Sequence, residues 1–190
     1  MKIINFSETD ELMLEKLIQL TFAGGKQHNP FWLPAMADAR DEVHEALSPG
    51  KISRIVVDGE LPLGWGSVFP HGYGVWELHP LIIDPACHGK GCGKYLVSEL
   101  EKLAKGAGAA TMILSTSDAT GATTIGGIDL YDDPLDRLKN IDVTDAKKGH
   151  AFQFWRKMGY SLVGVLPDAE GRGIPSIQFS KRLMKDHGEA

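Results

Sequence analysis

Short alternating runs and longer helical stripes follow one another along the chain. Residues 2–6 (KIINF) predict a strand, and Ser7 with Asp10 fits a capping box in which Asp takes the Glu position. Leu12, Leu14, Leu17, Ile18 and Leu20 recur near helical spacing, which predicts a helix over 8–22. Gly24-Gly25 and Asn29-Pro30 then predict a break. A second helix, rich in Ala and alternating charge, is expected over 35–47, with Ser48-Pro49-Gly50 ending it. The runs 52–58, 61–69 and 74–83 read as strands. Asp58-Gly59 and His71-Gly72-Tyr73-Gly74 are hairpin signals between them, so this section is expected to be an antiparallel meander.

A glycine-rich turn at 89–93 leads into a helix running to Lys105, with Leu96, Leu100 and Leu103 on one face and Gly106 and Gly108 closing it. Residues 110–116 predict a strand, and 117–145 an irregular stretch holding Asp118, Asp129, Asp132, Asp133 and Asp136. A helix over 147–158 ending at Gly159 and strands over 160–165 and 176–183 complete the order. No repeat, low-complexity tract or linker divides it. The expected fold class is mixed α/β (α+β), in a single domain spanning 1–190.

Composition narrows the function classes. Apolar residues are 43% and charged residues 24% of 190, ordinary for a globular domain. No run approaches the roughly 18 apolar residues of a membrane span. Residues 1–16 carry four acidic side chains and no apolar segment of signal-peptide type, so the cytoplasm is the expected location. Net charge is −5, and no dense Lys/Arg stripe would track a phosphate backbone. Neither nucleic acid nor membrane is expected as a partner, whereas the acidic balance permits a cationic one. Two cysteines, Cys87 and Cys92, are too few for a disulfide framework and lie too near the glycine turn to suggest zinc. The seven histidines show no metal spacing, so no metal is expected.

The turn His88-Gly89-Lys90-Gly91-Cys92-Gly93-Lys94 stands between a strand and a helix. A pyrophosphate needs several backbone N–H groups aimed at one point with no Cβ in the way, and a glycine-rich helix N-terminus provides both. Walker A and the dinucleotide fingerprint fail letter by letter: Lys94 is followed by Tyr95, and the third glycine would fall on Leu96 or Lys94. A turn whose glycines merely permit tight entry into the helix is the plainer alternative.

The turn resembles the R/Q-x-x-G-x-G/A pattern of acetyl-CoA-dependent GNAT N-acetyltransferases, with His88, Gly91 and Gly93 at its key positions. Leu81-Ile82-Ile83-Asp84-Pro85 is similar to the same superfamily's cofactor strand. Trp76-Glu77-Leu78-His79-Pro80-Leu81, Thr123-Thr124 with Asp129-Leu130-Tyr131, and Lys157-Met158-Gly159-Tyr160 followed by Val163-Gly164-Val165-Leu166-Pro167 resemble aminoglycoside 6'-N-acetyltransferases over nearly the whole chain. The resemblance implies a mostly antiparallel sheet flanked by helices, with a splayed central strand pair. It implies acetyl-CoA as cosubstrate, held by Leu81, Ile82, Ile83, His88, Gly89, Lys90, Gly91, Cys92, Gly93 and Lys94, with Phe152 and Trp155 as further cofactor-side candidates. The acceptor it implies is a small polycationic amine, foremost the 6'-amine of an aminoglycoside. A polyamine, another metabolite amine or a basic protein is the alternative acceptor, and a CoA-binding module without turnover the alternative class. A homodimer is the self-association the resemblance implies.

Alternation puts Glu77 and His79 on one strand face and Trp76 and Leu78 on the other. Pro80 cannot donate to a ladder, so it predicts an edge or bulge that frees a backbone N–H, that of Leu81, for an oxyanion. Glu77, directly or through water, and neutral His79 are the candidate proton acceptors for an arriving ammonium, and both are candidates for binding it. The same spacing also suits a plain solvated face. Many GNAT enzymes resemble N-x-x-A-x-x-F-Y in the helix before the sixth strand, with Tyr as acid. Here Lys148 replaces Asn and Trp155 replaces Tyr, and an indole N–H is no usable acid. Trp155 is expected beside the thioester or in the core. Asp118 is the loop's candidate contact for the polycation, against the alternative of a solvated carboxylate. Phe22, Phe31 and Trp32 are expected to pack as apolar residues or to wall the pocket.

Overall fold

In the computed structural model, which describes residues 1–145 and 150–184, the expected meander is present. Strand β1 (Lys2–Asn5) pairs antiparallel with β2 (Ile52–Asp58), β2 with β3 (Leu61–Gly72), and β3 with β4 (Val75–Ile83). Strand β5 (Thr111–Ser117) follows, and β6 (Ser161–Leu166) pairs antiparallel with β7 (Ser176–Arg182). The sheet order is β1-β2-β3-β4-β5-β7-β6. Helices α1 (Glu11–His28), α2 (Met36–Glu45), α3 (Cys92–Gly106), α4 (Pro134–Lys139) and α5 (Phe152–Lys157) accompany it, giving the mixed architecture that was expected. Among the described residues no helix is long and apolar enough to cross a membrane.

The chain divides into two compact units. One comprises 1–25, 33–112 and the described residues from 182 onward; the other comprises 26–32 and 113–181. In the first unit β3 is buried along most of its length because it is covered on both faces. On one side Trp65, fully buried, donates its indole N–H to Thr21 Oγ1 of α1 at 2.8 Å and meets the Phe6 ring edge-on. On the other, α3 lays down Leu96, Val97, Leu100 and Ala104, all without exposed surface. Fully burying one such leucine is worth about 1.5–3 kcal/mol. The second unit has its own apolar centre of Ile125, Leu130, Phe152, Trp155, Tyr160, Ile177 and Phe179.

Three local expectations are corrected. Ser7 sits in a separate 3-10 turn (Phe6–Glu8), and α1 starts later, where Asp10 Oδ1 accepts the Met13 N–H at 2.8 Å. The helix then runs through Gly24-Gly25, because these glycines serve close packing. A Cβ on Gly24 would stand 3.2 Å from Ile82 Cγ2, and one on Gly25 would stand 2.8 Å from Leu33 Cδ1. The stretch after β5 is not wholly irregular. It contains α4, capped where Asp133 Oδ1 accepts the Asp136 N–H, and a bridge between Thr123 and Val143. The helix expected over 147–158 is seen as α5; residues 147–149 of that expectation lie outside the described residues.

Candidate active site

Burial along β4 alternates as the sequence predicts. Trp76, Leu78, Pro80 and Ile82 are buried, while Glu77, His79 and Leu81 are partly open. The bulge expected at Pro80 is present. Gly66 pairs with Leu81 and Val68 with Leu78, so His79 and Pro80 together face Ser67 alone, across a cis His79–Pro80 bond. Gly66 in β3 accommodates it, since a Cβ there would come within 2.9 Å of the Pro80 carbonyl oxygen; further along, Gly64 lets β4 approach closely, a Cβ there falling 2.6 Å from the Ile82 carbonyl oxygen.

Two carboxylates and two histidines gather around this face. Glu77, its side chain 27% exposed, has Oε2 3.1 Å from His71 Nδ1 of the same hairpin. His79, 44% exposed, has Nε2 3.6 Å from Oε1 of Glu42, whose side chain is only 11% exposed. Burial pushes the Glu42 carboxyl above the usual carboxylate range; His79 pulls it back, Glu45 adds to the rise, and Lys51 opposes it. One turn on, Glu45 is held below that range by its hydrogen bond with Lys51, 2.7 Å away. Glu42 was not among the expected site residues. Its sequence signal is weak: a carboxylate beside the helical stripe Ala39, Val43 and Ala46, all buried.

Past β4 the chain makes the turn the glycines predict. Asp84 Oδ1 accepts the Ala86 N–H, the Cys87 N–H donates to the Asp84 carbonyl, and His88 Nε2 lies 3.3 Å from the Ile83 carbonyl oxygen. Gly89 and Gly91 take φ of 73° and 89°, the left-handed region that favours glycine, and a Cβ on either would project into open space. No side chain caps α3. Its first internal bond is Tyr95 N–H to the Gly91 carbonyl, so the N–H groups of Cys92, Gly93 and Lys94 open outward at the positive end of a 15-residue helix. Lys90 and Lys94 are exposed, whereas the Cys92 side chain is buried, its Sγ 3.5 Å from Met1 Sδ. Cys92 therefore offers a ligand its backbone and not its thiol. This is a cradle that fits a pyrophosphate. Ile82 likewise points its side chain inward, leaving Leu81 and Ile83 partly open.

The remaining candidates lie in the second unit. Asp118 is 2% exposed, and its carboxylate is fully engaged: Oδ1 accepts the Ala122 N–H at 2.7 Å, and Oδ2 accepts the Thr123 N–H at 2.9 Å and the Thr123 hydroxyl at 2.6 Å. That arrangement fastens the loop and offers little to a ligand. Phe152 packs edge-on against Phe179, and Trp155 against Phe154 and Tyr160. Both are buried, so Trp155 takes the core alternative of the two considered for it. Phe31 is exposed, so of the two alternatives given for it the packed one is not seen. His150 was not anticipated. Its Nδ1 accepts the Phe152 N–H at 3.0 Å, which makes Nε2 the protonated nitrogen, donating to the Ser117 carbonyl at 3.1 Å. Burial holds its pKa below the ordinary histidine value.

Comparison with known proteins places these features in a family. A family model described as the acetyltransferase (GNAT) family matches residues 12–132. A crystal structure of an aminoglycoside 6'-N-acetyltransferase complexed with coenzyme A is similar at a TM-score of 0.84 and 28% identity, covering 97% of this chain and 98% of that one. The aminoglycoside 6'-N-acetyltransferase from Enterococcus faecium matches at 0.83 and 28%, over 97% and 98%. An aminoglycoside 6'-acetyltransferase type Ii matches at 0.70 and 27%, over 97% and 99%. A search of curated protein sequences gave no significant match. The chain belongs to the GNAT family of acetyltransferases, enzymes that take their acetyl group from acetyl-CoA.

Proposed function

We propose that this enzyme acetylates a primary amine of a small polycation, foremost the 6'-amine of an aminoglycoside. The observation that carries the reading is the β4 face, where Glu77 and His79 stand partly open beside the Pro80 bulge, on the strand that leads into the phosphate-type cradle. The structural likeness to aminoglycoside 6'-N-acetyltransferases, end to end at 28% identity, supports the acceptor class. The net charge of −5 favours approach of a cation.

Acetyl-CoA supplies the activated acetyl group. The N–H groups of Cys92, Gly93 and Lys94, with Lys90 and Lys94 side chains nearby in sequence, hold its pyrophosphate; Leu81 to Ile83 offer backbone to its arm. Glu77 draws in the ammonium and orients it. An amine cannot attack until it loses a proton, and Glu77, through water, or neutral His79 takes that proton. The Leu81 N–H stabilises the negative charge that acyl transfer develops on oxygen. Trp155 supplies no acid, so the thiolate leaves on its own modest basicity.

The test is release of free thiol from acetyl-CoA by purified enzyme, with kanamycin, tobramycin, spermidine and a basic peptide as separate acceptors. Turnover with the aminoglycosides that collapses in Glu77→Ala is the expected result. Turnover confined to spermidine or the peptide would keep the chemistry and discard the antibiotic.

A further inference from the structure

Two thiols flank the glycine turn, Cys87 at its entry and Cys92 at the first residue of α3. The turn folds one back towards the other. The Lys90 N–H donates to the Cys87 carbonyl at 3.2 Å, and Gly89 and Gly91 reverse the chain at left-handed φ. The Cys87 thiol thereby reaches that of Cys92, and the two share a hydrogen bond. Cys92 is buried, its Sγ also 3.5 Å from Met1 Sδ, whereas Cys87 is partly open. Burial pushes the Cys87 thiol above the ordinary thiol range; Cys92 and Asp84 add to the rise, and Lys90 opposes it. Thiolate is therefore scarce at neutral pH, but a thiolate of high pKa is a strong nucleophile and a poor leaving group. Such a pair is slow to join and, once joined, slow to reopen.

We propose that Cys87 and Cys92 are a modification site: a small-molecule disulfide oxidises them to a reversible bridge that weakens the coenzyme cradle. Cys87, the more accessible thiol, attacks as its thiolate. A bond forms between its sulfur and one sulfur of the reagent, the reagent's own S–S bond breaks, and one half leaves as a thiolate that takes up a proton. The Cys92 thiolate then attacks the Cys87 sulfur, expels the second half and closes the bridge. Two cysteine thiols have lost two protons and two electrons, and the reagent has become two thiols. Acetyl transfer from acetyl-CoA itself releases a thiol, coenzyme A, whose disulfide belongs to this reagent class. Bridging draws the sulfurs from hydrogen-bonded contact to about 2 Å. To follow, Cys92 leaves Met1 and pulls on the first turn of α3, and its N–H is one of the three that open outward there. The inference rests on the reading of this turn as the pyrophosphate cradle.

The experiment reads the bridge and the affinity separately. The whole chain is incubated with glutathione disulfide at about pH 8.5, where thiolate is plentiful, and the reagent is removed. Intact mass without reductant reports the bridge, and calorimetric titration with acetyl-CoA, which carries no thiol of its own to reopen it, reports the affinity. The oxidised wild type should be a single chain lighter by two hydrogens, with a Kd about 10- to 100-fold higher, the loss of one hydrogen bond to a charged group. Dithiothreitol should reverse both changes. Cys87→Ser should bind acetyl-CoA as the reduced wild type does, before and after the same treatment. A lasting glutathione adduct or two unreacted thiols in the wild type would overturn the inference, as would a bridged protein of undiminished affinity. Unaltered affinity in reduced Gly91→Ala would instead remove the cradle reading, and the effect of the bridge on the coenzyme with it.

Discussion

Replacing Asp118 by Asn separates loop fastening from substrate binding. The buried carboxylate accepts three hydrogen bonds, from the Ala122 N–H, the Thr123 N–H and the Thr123 hydroxyl. An amide keeps one acceptor oxygen and puts an NH2 where the other was. In either orientation a buried backbone N–H then faces another donor. Losing one hydrogen bond to a charged group costs about 1.5–3 kcal/mol, and each kcal/mol shifts the Tm of a protein of this size by about 2–4 °C. Asp118→Asn should therefore melt about 3–12 °C lower, with the KM for the amine within about twofold of wild type where the protein is folded. Gly126→Ala should destabilise in the same direction, since its Cβ would overlap Asp118 Oδ2 and stand 2.8 Å from Gly121 Cα. Thermal melts with parallel initial-rate kinetics test this. An unchanged Tm with a selective rise in amine KM would refute the fastening role and return Asp118 to the substrate pocket.

Glu77→Gln should lower kcat/KM for the amine by about 100-fold or more while leaving the KM for acetyl-CoA alone, as steady-state kinetics would show; a parallel loss in both would point to misfolding of β4. Gly91→Ala places a side chain at φ of 89°, which costs about 1–2 kcal/mol and disturbs the cradle. Calorimetric titration with CoA should find weaker binding, and undiminished affinity would contradict the cradle. His150 predicts a pH effect. Burial depresses its pKa in the folded state, so the unfolded chain takes up the proton first as pH falls; its stabilising contribution is complete above about 6.5 and is lost as pH drops through the folded value. Urea midpoints measured between about pH 8 and pH 5 should fall less steeply in His150→Gln than in wild type, and equal slopes would count against it.

The meander and the bulge were legible in sequence because their causes are local. Alternation separates Glu77 and His79 from Trp76 and Leu78, and Pro80 cannot join a ladder. Gly24-Gly25 misled because a glycine pair looks the same whether it ends a helix or admits a neighbour, and the neighbours here are Ile82 and the Leu33 side chain. Asp118 was visible as a charge, but not its three donors, one on Ala122 and two on Thr123, four and five residues on in a loop without a periodic signature. Glu42 was invisible as a site residue for a different reason. Its meeting with His79 joins α2 to β4 across 37 positions, and nothing near Glu42 in sequence announces it.

The central claim is tested most directly by locating the acetyl group on the product. Kanamycin incubated with enzyme and acetyl-CoA should gain one acetyl, placed by NMR on the 6' nitrogen, and an analogue bearing a 6'-hydroxyl should release no thiol. Acetylation at another amine, or equal turnover of the 6'-hydroxyl analogue, would contradict the assignment of the 6'-amine as acceptor.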